Sequence, residues 1–137
     1  MRRLLAPVLA ALALLAPAAV FAQATSLGTI RLSQAVTADG QALPAGSYSL
    51  RVSAEAVKPV TGQASANAKW IEFVQGGQVK GRELASVVPS AEVKTVIKGT
   101  APAAGATKVE LLKGGEYIRV WANRAGNHYL LHLVVTK

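Results

Sequence analysis

Two histidines near the end of the sequence, His128 and His132, have the spacing H-x-x-x-H. On an α-helix this spacing would place both imidazoles on one metal ion. The residues around them are strand formers, namely Tyr129, Leu130, Leu131, Leu133, Val134 and Val135. On a strand the two histidines lie about 13 Å apart, at roughly 3.3 Å per residue, and one ion cannot bridge that distance. The spacing therefore predicts two unligated histidines on a sheet, with no metal and no cofactor.

Acidic and nucleophilic residues likewise favour structural roles over catalysis. A serine hydrolase needs a nucleophile, a base and an orienting acid, but the sequence has no G-x-S-x-G elbow and its single aspartate, Asp39, stands in a turn motif. Glu110 and Glu116 could form the carboxylate pair of a glycosidase, yet a hairpin would pair them with Arg119 and Lys113 as surface ion pairs. The absence of cysteine excludes thiol catalysis and Cys-ligated zinc. We therefore predict that the protein is not an enzyme. The catalytic alternative is a hydrolase whose active site differs from the standard arrangements.

The elements that carry these residues are predicted to be strands, because period-two alternation and turn residues recur along the chain without a convincing helical pattern. The strand at residues 47–53 alternates most cleanly and buries its three apolar residues, Tyr48, Leu50 and Val52. Turn residues precede it at Asp39-Gly40 and Pro44. The remaining strands are predicted at 27–36, 69–75, 78–88, 92–98, on both sides of Gly114-Gly115, and at 128–136. Two segments are predicted to be irregular: 55–68 and 99–107.

Seven or eight short strands bounded by turn residues predict an all-β domain, built as a single antiparallel β-sandwich or a small barrel. Residues 25–137 suffice for one such domain with a modest core and are too few for two. Because the sequence contains no cysteine, core packing and sheet hydrogen bonds must hold the domain without disulfides.

Two hairpins centred on glycine pairs have registers that side-chain pairing predicts, since opposed charges and apolar pairs are each worth roughly 0.2–1 kcal/mol. Around Gly76-Gly77 a three-residue loop that includes Gln75 gives the better pairing, which is Glu72 with Lys80, Lys69 with Glu83, Trp70 with Arg82 and Phe73 with Val79. Around Gly114-Gly115 a two-residue loop is favoured, and it pairs Lys113 with Glu116, Glu110 with Arg119, Leu111 with Ile118 and Val109 with Val120.

The sequence opens with the three parts of a secretory signal peptide over residues 1–24. A pair of arginines supplies the positive charge, a long apolar stretch follows, and small residues occupy the −3 and −1 positions of a cleavage site. We predict cleavage after Ala24, with Ala22 as the alternative, so that residues 25–137 form the mature domain. The apolar stretch is interrupted by prolines and short for the roughly 17–25 residues of a membrane span, which favours cleavage over a permanent anchor. The protein is therefore predicted to be periplasmic or secreted.

The net positive charge of the chain indicates which kinds of partner it would attract. The formal net charge is +8, and the two arginines of the predicted leader account for two of these charges, so residues 25–137 carry +6. A net charge of this size favours attraction to anionic surfaces. We predict an anionic polymer, a glycan or another envelope protein as the partner, no specific nucleic acid, and membrane contact only through the transient signal peptide.

One segment carries a family resemblance. Residues 40–48, Gly-Gln-Ala-Leu-Pro-Ala-Gly-Ser-Tyr, resemble the G-x-x-L-P-A-G-x-Y segment of small secreted bacterial β-sandwich proteins, and similar segments occur in carboxypeptidase-regulatory-like and transthyretin-like domains. Residues 73–79 resemble the second hairpin of uncharacterised secreted members of that group. The resemblance implies an immunoglobulin-like or transthyretin-like sandwich and transfers no active site.

The alternation of the last strands predicts one mixed aromatic and basic face. The inward series comprises Val109, Leu111, Ile118, Val120, Tyr129, Leu131, Leu133 and Val135. The outward series forms the candidate binding face, which consists of Lys108, Tyr117, Arg119, Trp121, His128 and His132. Aromatic rings offer apolar contact to sugars, and cations attract anionic polymers. Alternatively these side chains cover each other or pack under the loop at 55–68, and Leu130 and Val134 on the same face favour cover by another element or chain.

Together these observations predict an exported binding or structural module of the cell envelope or the extracellular space, without catalysis. The alternative from another functional class is a subunit of an envelope protein assembly, which would use the outer face of the C-terminal strands as its contact.

Overall fold

In a computed structural model of the protein, residues 25–55, 57 and 67–136 are described. This part of the chain contains nine strands: β1 (Ser26–Leu32), β2 (Val36–Ala38), β3 (Gln41–Leu43), β4 (Gly46–Val52), β5 (Ala68–Gln75), β6 (Gln78–Pro89), β7 (Thr107–Leu112), β8 (Tyr117–Arg124) and β9 (Asn127–Val135). A 3₁₀ turn at Ser90–Glu92 leads into a one-turn helix, α1 (Val93–Val96), and a second 3₁₀ turn at Lys113–Gly115 joins β7 to β8. The all-β prediction is confirmed. The predicted signal peptide and most of the predicted loop at 55–68 lie outside the described residues.

The nine strands of the described chain form one antiparallel sheet. Its main path runs β1-β4-β5-β6-β9-β8-β7, and the short β2–β3 hairpin attaches to the far end of β9. Strand β9 therefore has β8 on one side and both β6 and β2 on the other. The sheet encloses one main core, to which eight of the nine strands contribute, and its largest fully buried side chains include Tyr48, Phe73, Ile118, Leu131 and Leu133.

The strand count exceeds the seven or eight predicted because Asp39-Gly40 closes a hairpin of its own, β2–β3. Both residues have positive φ, 44° for Asp39 and 78° for Gly40, which is the combination that a two-residue hairpin turn requires. The Asp39 backbone N–H donates to the Glu83 carboxylate at 2.6 Å, and this hydrogen bond ties the hairpin to β6. The predicted burial of Tyr48 and Leu50 on β4 is also confirmed.

The predicted register of β7–β8 is confirmed, because Glu110 lies opposite Arg119 and Leu111 opposite Ile118. The predicted two-residue loop is wrong, since the ladder ends at Leu112 and Tyr117 and leaves Lys113 and Glu116 in a four-residue loop. Leu111 nevertheless stays 54% exposed, since β8 is the only strand of the described sheet that pairs with β7. Charge pairing therefore identified the ladder correctly, whereas alternation overstated how deeply its edge strand is buried.

The predicted register of β5–β6 is wrong. Gly76-Gly77 forms a two-residue turn, with φ of 60° and 78°, and a bulge at Lys80 then shifts the ladder by one residue. As a result Glu72 lies opposite Arg82 instead of Lys80. The bulge removes the pairing of Phe73 with Lys80 that an unbroken two-residue hairpin would impose.

The strand predicted at 92–98 is also wrong, since α1 and the preceding 3₁₀ turn occupy most of it. Pro89 ends β6, and the chain then turns so that Val93 and Ile97 both contact the outer side of the sheet. The spacing of four residues suits one helical turn better than a strand, which would leave Val93 and Ile97 far apart. The helices in the described part of the chain are short, and none has the length and apolar character that a membrane span requires.

Candidate functional site

The side of β7, β8 and β9 that turns away from the main core carries all six residues of the predicted candidate face. Cross-strand pairing brings them together, as where Arg119 lies opposite His132. We call residues 98–106 the strap. Helix α1 and the strap together cover the end of the face that holds Trp121. The end that holds Tyr117 stays open. The predicted face is therefore two sites with different properties.

At the covered end, Trp121 is completely buried, with an exposed fraction of 0%. Its ring packs in a second core with Val88, Val93, Leu130 and Ile97. The strap lies directly on the ring, since a Cβ at Gly99 would stand 3.7 Å from Trp121 Cζ3. Trp121 therefore cannot stack on a ligand, which corrects its predicted role. The alternative of cover by another element applies at this end, and α1 and the strap supply that cover.

Three side-chain hydrogen bonds from the sheet to strap carbonyl groups hold the strap in place. Arg119 Nη2 donates to the Lys98 carbonyl at 3.2 Å, Lys108 Nζ to the Thr100 carbonyl at 2.9 Å, and Asn123 Nδ2 to the Pro102 carbonyl at 3.0 Å. Two predicted face residues, Lys108 and Arg119, thus use part of their donor capacity within the chain. Their role at this end is to fasten the strap over Trp121.

The second buried member of the predicted face is His128, which is 4% exposed. Its Nδ1 accepts a hydrogen bond from Trp121 Nε1 at 2.8 Å, so the imidazole is neutral with its proton on Nε2. Burial lowers the pKa of His128 and favours this neutral form. His128 is therefore part of the second core and not a surface contact, which corrects the prediction. Among the residues that the structure describes, no three histidine or acidic side chains are grouped as metal ligands would be.

An ion cluster separates the covered end from the open end. Glu110 lies 3.1 Å from Arg119 Nη2 and 3.1 Å from Lys108 Nζ, and the Arg119 guanidinium lies 5.1 Å from the Trp121 ring centroid. Burial alone would raise the pKa of Glu110, but the hydrogen bonds and charges of Arg119 and Lys108 outweigh it and hold that pKa below its ordinary value. The predicted pair of Glu110 with Arg119 is confirmed, although the side chains are only 23% and 12% exposed. Glu110 is therefore held by two cations, an unsuitable state for a glycosidase acid.

We expect Glu110→Gln to lower the free energy of unfolding by about 2 kcal/mol, somewhat less than the 3–5 kcal/mol for breaking a fully buried pair. The substitution leaves the Arg119 guanidinium mostly buried without a compensating charge. Urea denaturation at neutral pH measures the loss, and Glu116→Gln on the same hairpin, at an exposed position, is the matched control. Equal stability of the two variants would contradict the proposed importance of the cluster.

The open end forms a groove lined by Leu112, Lys113, Tyr117 and His132, with a volume of about 410 Å³. Lys113 Nζ lies 5.3 Å from the Tyr117 ring centroid, and Val134 on the same face is 51% exposed. Burial and the neighbouring charges of Arg119 and Lys113 lower the pKa of His132. The groove thus combines an aromatic ring, a titratable imidazole and a lysine ammonium.

Two groove residues, Leu112 and Lys113, were not among those predicted. Lys113 was assigned to the hairpin turn and to an ion pair with Glu116, but within the described residues it forms no ion pair. It has a φ of 50°, which directs the chain away from the strand path and places the ammonium group over Tyr117. The position of Lys113 beside a glycine pair and close to Tyr117 was the available sequence signal.

No protein-family model, curated protein or solved structure matches the chain.

The segment that resembles secreted β-sandwich proteins, residues 40–48, forms β3, the following turn and the start of β4. The Tyr48 hydroxyl donates to the Pro44 carbonyl at 2.6 Å, which fixes this turn against the main core. Burial raises the pKa of Tyr48, so the hydroxyl stays protonated as a donor. These contacts are structural, and membership of the carboxypeptidase-regulatory-like group remains a prediction.

A larger groove, of about 690 Å³, lies between β6 and α1, where Leu84 and Val96 are exposed. Its lining is apolar side chains and small polar ones, and Glu92 is its one charged residue within the described chain. Although the protein as a whole is positively charged, the described lining of this groove supplies no cation to attract an anionic ligand. The smaller groove at Tyr117 is the better candidate site because its lining carries the chemistry that recognises a charged ligand.

Proposed function

We propose that the protein is an exported, non-catalytic binding module that holds an acidic glycan in the groove lined by Leu112, Lys113, Tyr117 and His132. The observation that carries this proposal is the placement of the Lys113 ammonium group, which forms no ion pair with the described residues, beside a half-buried aromatic ring in an open groove. The leader at residues 1–24 supports export to the periplasm or the exterior.

Charge complementarity favours an anionic ligand. Residues 25–137 carry a net charge of +6, and Lys113 adds its local charge in the groove to this general field. The Tyr117 ring and Leu112 offer apolar contact to the non-polar face of a sugar ring, and the phenol hydroxyl offers a hydrogen bond. A sugar ring that bears a carboxylate or sulfate matches both parts of this lining.

The test is a binding assay with acidic oligosaccharides, such as a heparin tetrasaccharide and a polygalacturonate oligomer. We expect Tyr117→Ala and Lys113→Ala each to weaken binding about tenfold, which corresponds to ~1.4 kcal/mol, and added salt to weaken it further. Lys94→Ala on α1 removes an exposed lysine outside the groove and serves as the control of equal charge. Absence of binding, or an equal loss in Lys94→Ala, would contradict the proposal.

A second candidate function is a subunit of an envelope assembly that contacts its partner through the open end of this face. The exposed Val134 opposite Tyr117 favours it, because exposed apolar and aromatic side chains next to each other on a sheet are typical of protein contacts. Light scattering after size exclusion addresses self-association, and Val134→Glu should shift any oligomer to monomer. A strict monomer at high concentration, with no change in Val134→Glu, would argue against self-assembly.

A further inference from the structure

His132 faces cations on two sides. On β8 its direct cross-strand neighbour is Arg119, and Lys113 of the β7–β8 turn lines the same groove. Burial, together with these two charges, disfavours protonation of the imidazole and lowers the pKa of His132. The nearest carboxylate on β7, Glu110, is engaged by Arg119 and Lys108.

The strands on the other side of β9 add no charge. The segment of β6 that pairs with β9 runs from Ser86 to Pro89, and β2 comprises Val36–Ala38. None of these residues is charged. The charged groups that face His132 from the described elements are therefore Arg119 and Lys113, while Tyr117 adds a neutral phenol.

An anion in this groove would reverse the electrostatic balance at His132. Its negative charge offsets Lys113 and Arg119, and it favours the imidazolium form by direct attraction. Because binding and protonation both stabilise the same state, each must strengthen the other by linkage. A neutral ligand would not have this effect.

We infer that the groove binds the anionic group of an acidic glycan together with a proton that is taken up by His132, so that the ligand is held more tightly at acidic pH. The inference rests on the proposed function and adds its regulation. Each unit by which the ligand raises the pKa of His132 tightens binding by a factor approaching about ten as the pH falls. The structure thus assigns His132 the role of a pH sensor within the binding site.

The test follows the imidazole Cε1–H signals by NMR between pH 8 and pH 5, in the free protein and with two ligands. Sodium sulfate, compared with sodium chloride at equal ionic strength, tests the anion site alone, and a heparin tetrasaccharide tests the glycan. We expect both to raise the pKa of His132 and leave the buried His128 unchanged. We also expect the tetrasaccharide to bind about tenfold more tightly at pH 5 than at pH 7.5, and His132→Gln to reduce this ratio to about one.

The outcomes separate the two proposals. If the tetrasaccharide binds while neither ligand moves the pKa of His132, the proton linkage is overturned and the binding function stands. If sulfate raises the pKa while the tetrasaccharide does not bind, the linked anion site is supported and the glycan function is contradicted. If neither ligand affects His132 and no binding occurs, both proposals fail.

Discussion

Trp121→Ala is expected to lower the free energy of unfolding by about 3–5 kcal/mol, the usual cost of truncating a fully buried aromatic residue. The ring is completely buried between the sheet, α1 and the strap. Its removal leaves a cavity in the second core and deprives His128 of its hydrogen-bond donor. The loss is a large fraction of the 5–15 kcal/mol that a domain typically has.

Urea denaturation of the wild-type protein and the variant measures this loss. The matched control is Trp70→Ala, because Trp70 is only half-buried on β5 and the Arg82 guanidinium lies over its ring, 4.0 Å from the centroid. We expect the control to lose clearly less stability than Trp121→Ala. Similar losses in the two variants would show that α1 and the strap do not enclose the Trp121 ring in solution.

Acidification from pH 7.5 to pH 5 is expected to lower the free energy of unfolding by up to about 2 kcal/mol through His128 alone. The pKa of His128 is lowered in the folded protein from an ordinary value of 6.5. Below pH 6.5 the unfolded chain therefore binds a proton that the folded protein does not, and stability falls with pH until the folded pKa is passed. Glu110, whose folded pKa lies below its ordinary 4.5, contributes a further loss only in more acidic solution.

His128→Asn tests this assignment, because the asparagine carbonyl oxygen can accept the Trp121 hydrogen bond but does not titrate. We expect the variant to show a smaller loss of stability between pH 7.5 and pH 5 than the wild-type protein, in urea denaturation at both pH values. His132→Gln is the second comparison, because the pKa of the exposed His132 is also lowered in the folded protein and contributes a loss of stability over the same pH range. An unchanged pH dependence in His128→Asn would assign the acid sensitivity to another group.

The two glycine hairpins show what side-chain pairing can and cannot predict. In β7–β8 the pairing of Glu110 with Arg119 agrees with an unbroken ladder, and the register follows from charge. In β5–β6 a bulge at Lys80 adds one residue to one strand. The extra residue shifts every following cross-strand pair by one position. Because residue types do not reveal where a bulge occurs, charge pairing predicts the wrong register there.

The six predicted residues lie on one side of β7, β8 and β9, but Trp121 and His128 are buried there. Alternation places Tyr117, Arg119 and Trp121 on one side of β8, but it does not reveal whether another segment lies over that side. The covering segment was missed because Val93 and Ile97 fit a weak strand pattern as well as one helical turn. Lys113 was missed because its place in the groove depends on a positive φ in the turn, which residue type alone does not indicate.

Strand β9 has a consequence for how the protein acquires its structure. In the described sheet it alone pairs with all three of β6, β8 and β2, so the eight earlier described strands form three groups without strand pairing between them until β9 has been synthesised. Thr37 and Val134, which become neighbours in the sheet, are separated by almost the whole domain in the chain. Such distant pairings slow folding to milliseconds or seconds, so the sheet can be completed only after the last strand has been made.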